Sequence, residues 1–209
     1  MAVDITLALT TYALVKAELG LTDDTLQTYF ERKINAVSQK FANYCNRAFK
    51  TQTYTSERYE GTDTLEICLK NYPITALTTV IVDDTTITDD VVLDAANGTI
   101  YYESLFSSNG WNEGVSKHKI LRFKNVYVTY TAGYVLPDQA SPTLPYDLQD
   151  ACINEVIAEY EKRGTSKNVK SWTLGKSSKS YFANDVDQGS GLLSSTKALL
   201  DMRYKKYVI

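Results

Sequence analysis

The sequence predicts an α+β fold: helices from both ends of the chain form a bundle, and an antiparallel β-rich region is inserted between them. Apolar residues recur at three- and four-residue steps near both ends, whereas they alternate with polar residues in the middle. Proline-rich breaks separate the two patterns. We therefore expect a helical core from residues 1–50 with 143–164, a β-rich insertion at 51–135, and an extended C-terminal arm plus helix at 165–209.

The first fifty residues carry the helical pattern. Thr10 or Thr11 can cap a short helix that stops at Gly20, since a left-handed residue commonly ends a helix. Asp23 or Asp24 can cap a second helix that runs to residue 46. This second helix has one continuous apolar stripe, made of Leu26, Phe30, Ile34, Val37, Phe41 and Cys45. The stripe predicts that the helix packs against another element.

Short β-type segments fill the middle of the chain. Alternation of apolar and polar residues, or β-branched composition, predicts strands near 51–59, 65–69, 76–82, 85–93, 99–102 and 120–130. Asn97-Gly98 is a tight-turn signal, and residues 103–118 have the composition of a loop. The spacing favours a small antiparallel sheet or sandwich and leaves open whether it closes into a barrel.

A third long helix is predicted at 146–163, with Pro145 before its first turn. Its apolar face holds Leu148, Cys152, Val156 and Tyr160, and we expect Glu155, Glu159 and Glu161 on a solvated face. Residues 165–191 are rich in Ser, Lys and Gly, which predicts an arm that orders only against a partner. A last helix is expected from Leu193 to about Tyr207.

Composition excludes several classes of protein. The chain has 22 basic and 25 acidic residues, a net charge of −3, which suits poorly a protein that wraps duplex DNA. One His and three scattered Cys cannot build a His/Cys metal site, and the Cys are expected to be free thiols. The N-terminus lacks a secretory signal, and no run is long and apolar enough to span a membrane.

No catalytic motif is present. Glycine-rich nucleotide loops and the G-x-S-x-G elbow are missing, and His118 lies between two lysines in a predicted loop. Asp83-Asp84 and Asp89-Asp90 lack calcium-loop spacing and are interpreted as solvated turn carboxylates. We therefore predict no enzymatic activity, no metal and no cofactor.

Charge is distributed unevenly along the chain. Residues 71–116 hold seven acids and no Lys or Arg, whereas residues 162–181 hold six bases and no acid. Either both stretches are simply solvated, or the basic arm of one copy meets an acidic face of a neighbour or lines a passage for DNA. In the second case the contact is head-to-tail, and such contacts can close into a ring.

The order of motifs resembles the head–tail connector proteins of tailed bacteriophages, also called head-completion adaptors, and their longer β-inserted members most closely. The N-terminal segment YALVKAELGLTDDTLQTYFERKINAVSQKFANYCNRAF is similar to the family's helix, Gly, acidic turn and long helix, which ends here at Tyr44–Phe49. TQTYTSERYEG, LEICLKNYPITALTTVIVDD and VYVTYTAGYVLPDQASPTLPYDLQDACINEVIAEYEKRG resemble its strands and following helix. SWTLGKSSKSYF and LLSSTKALLDMRY are similar to its arm and final helix, so the resemblance spans residues 10–205.

This resemblance implies a structural protein of the virion neck, made in the host cytoplasm. Such adaptors form a ring beneath the portal protein, with twelve copies expected, and the ring extends the DNA channel and joins the next neck or tail protein. The resemblance places portal binding on the C-terminal region, at Trp172, Leu174, Gly175, Tyr181, Phe182, Leu199, Leu200, Met202 and Tyr204.

The charged residues are assigned to other contacts. Lys167, Lys170, Lys176 and Lys179 are candidates to line the lumen near DNA phosphates, without reading bases. Asp83, Asp84, Asp89 and Asp90 are candidates for contact with a neighbouring subunit or a neck protein. The alternatives are a tail-completion ring subunit and a non-enzymatic cytosolic β-rich binding module.

Overall fold

The computed structural model describes residues 6–60, 65–102, 126–164, 171–174, 177–180, 186–187 and 189–205. For residues 171–174 and 177–180 the description is of the backbone. The chain divides into a helical unit, Met1–Asn46 with Val135–Tyr207, and a sheet unit, Arg47–Tyr134 with Val208–Ile209. The α+β fold class is confirmed. The division differs from the expected one at the C-terminus, because the last helix belongs to the helical unit.

Two helices open the helical unit, α1 (Tyr12–Glu18) and α2 (Gln27–Cys45). The predicted stripe of α2 is buried from Phe30 to Cys45, whereas Leu26 lies half-buried just before the first turn. Helix α1 is followed by Gly20 with a φ of +64°, as predicted for a helix stop. Thr11 is the N-cap residue of α1, as predicted, but its side chain makes no capping bond. The cap predicted for α2 was wrong: its N-cap residue is Leu26, and Asp23 accepts a bond from Thr25 N–H in the turn before α2.

Helix α3 (Tyr146–Glu161) packs against α2 as predicted. The Phe30 and Tyr160 rings lie 5.1 Å apart, and Lys33 Nζ donates to Glu159 Oε2 at 2.7 Å. Cys152 is fully buried here, and burial raises the pKa of its thiol to about 12, so the thiol stays neutral. Helix α4 (Ser194–Arg203) completes the unit and is shorter at both ends than predicted.

The sheet unit contains two antiparallel sheets that contribute to one core. The larger sheet has the order β1-β7-β3-β4, with strands Gln52–Tyr59, Val126–Ala132, Ile74–Val82 and Thr85–Thr86. The smaller has the order β2-β6-β5, with strands Glu66–Cys68, Thr99–Tyr102 and Val91–Asp94. Every second residue of β7 from Val126 to Ala132 is buried, so the predicted alternation holds in its described part.

Turn chemistry fixes the register of two hairpins. Strands β3 and β4 are joined by Asp83-Asp84 alone, and both residues have a positive φ, the geometry that twisted two-residue hairpins require. Gly98 has a φ of +64° between β5 and β6, at the predicted Asn97-Gly98 turn. The predicted single strand at 85–93 was wrong: a 3₁₀ turn at Thr88–Asp90 divides it into β4 and β5.

Candidate functional site

Helix α4, which holds several of the predicted portal-binding residues, buries part of that set within the chain itself. Leu200 is fully buried and Tyr204 nearly so, because α4 packs into the helical unit. The Tyr204 hydroxyl donates to Asp147 Oδ1 at 2.6 Å. Of the four predicted portal-binding residues of α4, Leu199 is half-buried and only Met202 is largely exposed, at 80%.

Glu155 attaches the start of α4 to α3. Its carboxylate accepts a hydrogen bond from the backbone N–H of Leu193, the residue before α4. Glu155 is only 3% exposed, so its predicted position on a solvated face was wrong. A carboxylate at this point satisfies a helix N-terminal donor that α4 cannot pair within itself. The α3 pattern alone gave no signal for this contact, since the partner lies 38 positions away.

A second carboxylate, Asp187, closes the turn that leads into α4. It accepts hydrogen bonds from Lys197 Nζ at 2.9 Å and from the Ser190 backbone N–H at 2.7 Å. The bond from Lys197 is the main reason that the pKa of Asp187 lies far below its usual range, and the Ser190 bonds add to it.

The arm contains a β-hairpin, which the prediction of a plain extended segment missed. Strands β8 (Ser171–Leu174) and β9 (Ser177–Ser180) pair antiparallel, with Trp172 opposite Lys179. Apolar residues do not recur at a regular spacing around these strands. Two short segments joined by Gly175-Lys176 are nevertheless typical of a tight hairpin. The remaining arm candidates, Lys167, Lys170, Gly175, Lys176, Tyr181 and Phe182, lie outside the described residues.

The four predicted acidic contact residues lie close together in sequence around the β3–β4 hairpin. Asp84, Asp89 and Asp90 are exposed and Asp83 is half-buried. No group of three or more ligating side chains suited to a metal occurs in the described ranges. The described part of the acidic stretch, 71–102, therefore presents carboxylates on a turn and an adjoining 3₁₀ segment.

No sequence pattern predicted the environment of Arg47. Its side chain is 4% exposed, and among the described residues none of its three guanidinium nitrogens has a hydrogen-bond partner. Instead its Cζ lies 3.5 Å from the centroid of the Tyr72 ring and 5.1 Å from that of Phe49. Cation–π attraction thus replaces hydrogen bonding at a buried charge.

A polar cluster lies in the same unit. The hydroxyls of Tyr59 and Tyr130 both donate to Glu57 Oε2, the first at 2.6 Å. Burial raises the pKa of both tyrosines well above 10, and the bonds to Glu57 raise both further. Both tyrosines are neutral at ordinary pH and are therefore poor bases. Because Glu57 and Tyr59 lie in β1 and Tyr130 lies in β7, the hydrogen bonds of the cluster hold the two strands together.

A cleft of about 240 Å³ opens in the helical unit. Its lining combines small apolar residues with hydroxyls and two carboxylates: Ala8, Thr10, Thr11, Tyr12, Ala13, Glu31, Ile34 and Asp138. Glu31 is half-buried and Asp138 exposed, whereas Thr10 is buried. No sequence pattern marks this site, because its residues come from the segment before α1, from α1 and α2, and from a loop a hundred positions later.

The family model for head completion proteins matches residues 8–179, most of the chain. The chain belongs to the head completion protein family. This membership confirms the resemblance found in the sequence, and it confirms a structural role as a head–tail connector. None of the described helices is long and apolar enough to cross a membrane.

One solved structure shares the fold, and two others are similar at lower TM-scores. A chain from the structure titled "Neck of empty GTA particle computed with C6 symmetry" matches with a TM-score of 0.50 and 17% identity, over 100% of this chain and 95% of that one. A chain from "Neck of native GTA particle computed with C12 symmetry" gives a TM-score of 0.39 at 19% identity, over 81% and 85% of the two chains. A chain from "Virion of native gene transfer agent (GTA) particle" gives 0.38 at 19% identity, over 92% and 83%. No curated protein matches the chain.

Proposed function

We propose that this head completion protein forms a ring in the neck of a tailed particle, beneath the portal, where it extends the DNA channel and meets the next neck or tail protein. The family match over residues 8–179 carries the proposal. The first of the similar structures, which shares the fold along the whole chain, is titled as a particle neck with C6 symmetry. A twelve-membered ring contains that six-fold symmetry, and it is the number we propose. Its role is structural, without catalysis.

The C-terminal region is proposed to bind the portal, with a narrower set of residues than the sequence suggested. Leu200 and Tyr204 already serve the core of the helical unit, so they are unavailable while α4 stays packed. Met202 is the exposed apolar residue of α4. We assign docking to Met202, with half-buried Leu199 beside it, and to the arm residues Trp172, Leu174, Gly175, Tyr181 and Phe182.

The acidic candidates and two of the four lysines keep their sequence-based assignments as proposals. Asp83, Asp84, Asp89 and Asp90 present their charge to a neighbouring subunit or neck protein, which favours a basic partner surface. Lys176 and Lys179 attract phosphates of the DNA that passes through the channel.

Two variants test portal binding without removing α4. The first replaces residues 167–182 with a Gly/Ser segment of equal length, and the second is Met202→Asp. We expect each to keep the far-ultraviolet circular dichroism of the native protein. The arm replacement should weaken binding to purified portal about a hundredfold and Met202→Asp about tenfold, as for lost interface anchors.

The matched control is Val92→Asp, since Val92 is an exposed apolar residue of the sheet unit. Its portal affinity should stay native. Native affinity in the arm variant would refute docking through the arm. Electron cryomicroscopy of particles that contain the chain tests the function itself: a ring of this fold beneath the portal is expected, and a neck built entirely of other proteins would overturn the proposal.

A further inference from the structure

The cleft of the helical unit has the size of a receptor for a single side chain. Its volume of about 240 Å³ lies below the roughly 300–1,000 Å³ typical of small-molecule sites. Ala8 and Ile34 are buried parts of its apolar lining, and Glu31 and Asp138 bring carboxylates to it. An occupant must therefore be narrow, apolar along most of its length and cationic at its end.

Thr10 gives an independent indication that the cleft is incomplete. Its side chain is 1% exposed, yet its hydroxyl oxygen has no hydrogen-bond partner among the described residues. A buried hydroxyl without a partner is unfavourable, because folding has removed it from water. Thr10 is among the residues that line the cleft, so a donor bound there would lie near this hydroxyl.

A lysine side chain has these properties. Its four-carbon stem can lie on Ala8, Ala13 and Ile34, and its ammonium carries three donors. Those donors match the acceptors around the cleft, Glu31, Asp138 and the Thr10 hydroxyl. An arginine has five donors in a rigid planar fork, which needs more space and more acceptors.

We infer that the cleft binds a lysine from the arm of a second copy of this chain, Lys167 or Lys170. The two carboxylates of its lining favour a basic occupant. The arm is basic, with four lysines and no acid from residue 165 to 181. Lys167 and Lys170 precede β8, so the aromatic residues beyond them stay available to the portal.

This contact rests on the proposed ring, because it needs copies arranged head-to-tail. Each copy then gives its arm to one neighbour and receives an arm from the other. Lys167 and Lys170 are therefore reassigned from the channel lumen to the cleft, whereas Lys176 and Lys179 remain candidates for the lumen.

A carbodiimide cross-link tests the contact directly, because it joins an amine to a carboxylate that touches it. Rings are assembled from a mixture of ¹⁴N- and ¹⁵N-labelled full-length chains. We expect mixed-isotope peptides that link Lys167 or Lys170 to Glu31 or Asp138. Links from these lysines only to Asp83, Asp84, Asp89 and Asp90, or only within one chain, would overturn the inference.

Neutral variants measure the contribution of the cleft. Glu31→Gln with Asp138→Asn should raise the protein concentration needed for ring assembly about tenfold, the effect of losing one half-buried and one exposed charge pair. Glu18→Gln with Asp150→Asn is the matched control: it removes two exposed carboxylates of the same unit outside the cleft lining and should leave assembly unchanged.

A charge swap separates the contact from general electrostatics. Glu31→Lys with Asp138→Lys should block assembly, and adding Lys167→Glu with Lys170→Glu should restore it to within about threefold of native. If native chains form no ring at all, the proposed function fails. If rings form and the cleft variant assembles like its control, only the lysine contact is refuted.

Discussion

A buried ionic side chain is stabilised by different contacts in the helical unit and in the sheet unit. In the helical unit, Glu155 is buried and its carboxylate accepts the backbone N–H of Leu193. In the sheet unit, Arg47 is equally buried, and aromatic ring faces surround a guanidinium whose nitrogens have no hydrogen-bond partner in the described ranges. The carboxylate therefore holds a helix in place through a hydrogen bond, whereas the guanidinium is held by cation–π contacts with rings. Removing each charge should have different consequences.

Displacing Tyr134, one of the aromatic residues around Arg47, should have the largest effect on stability. Gly133 precedes Tyr134 with a φ of +116°, and a Cβ at this position would lie 2.5 Å from the Lys50 carbonyl oxygen. Because the contact is with backbone and the φ disfavours other residues, Gly133→Ala should destabilise the protein by about 3 kcal/mol or more. Urea denaturation measures the free energy of unfolding. Gly20→Ala is the control, since Gly20 also has a positive φ but open space around it; an equal loss there would show that the clash is unimportant.

Removing the helical unit's buried carboxylate should have the next largest effect. Glu155→Ala leaves the Leu193 N–H without its acceptor and opens a small cavity, so we expect a loss of about 2–3 kcal/mol. Glu155→Gln keeps an acceptor oxygen and should lose about half as much. Urea denaturation followed by far-ultraviolet circular dichroism provides the measurement. A loss below about 0.5 kcal/mol for Glu155→Ala would mean that α4 is held by its apolar contacts alone.

The turn before α4 should make a contribution that depends on pH. The folded pKa of Asp187 is lowered by Lys197 and Ser190, so the folded state is favoured above the unfolded pKa of about 3.9. This stabilisation is lost as the pH falls below that value toward the folded pKa. Asp187→Asn should therefore flatten the dependence of stability on pH between about 4 and 2. If urea denaturation shows the unfolding free energy of Asp187→Asn changing with pH as steeply as that of the native protein, Asp187 is not the source of this pH dependence.

The smallest change is expected when an apolar side chain of similar length replaces Arg47. Arg47→Met replaces a buried charge that has no hydrogen-bond partner in the described ranges with an apolar side chain of similar length. Replacements of this kind are often neutral or stabilising, so we expect a change within about 1 kcal/mol of zero. Arg47→Glu is the contrasting variant and should prevent folding of the sheet unit, since it places a carboxylate against ring faces. A loss of more than about 2 kcal/mol for Arg47→Met would show that the cation–π contacts outweigh desolvation.

The sequence predicted secondary structure correctly where buried residues recur at a regular spacing along the chain. The stripe Phe30 to Cys45 predicted α2, and the alternation around Val126–Tyr130 predicted β7, because each pattern reports one buried face. Glu155 escaped prediction because its partner, Leu193, lies far along the chain. Arg47 escaped for the same reason, since Tyr72 and Tyr134 come from different parts of the sheet unit. The cleft is likewise assembled from distant segments, and no local pattern marks it.

The division of the chain has a consequence for its synthesis on the ribosome. Helices α2 and α3 pack on each other, yet about 100 residues separate the end of one from the start of the other. At roughly 5–20 residues per second, α2 emerges about 5–20 s before its partner exists. During that interval the apolar stripe of α2 has nothing to cover it, which makes the nascent chain a natural client for chaperones. The sheet unit is almost contiguous, from Arg47 to Tyr134, so it can fold during the same interval, before the helical unit closes.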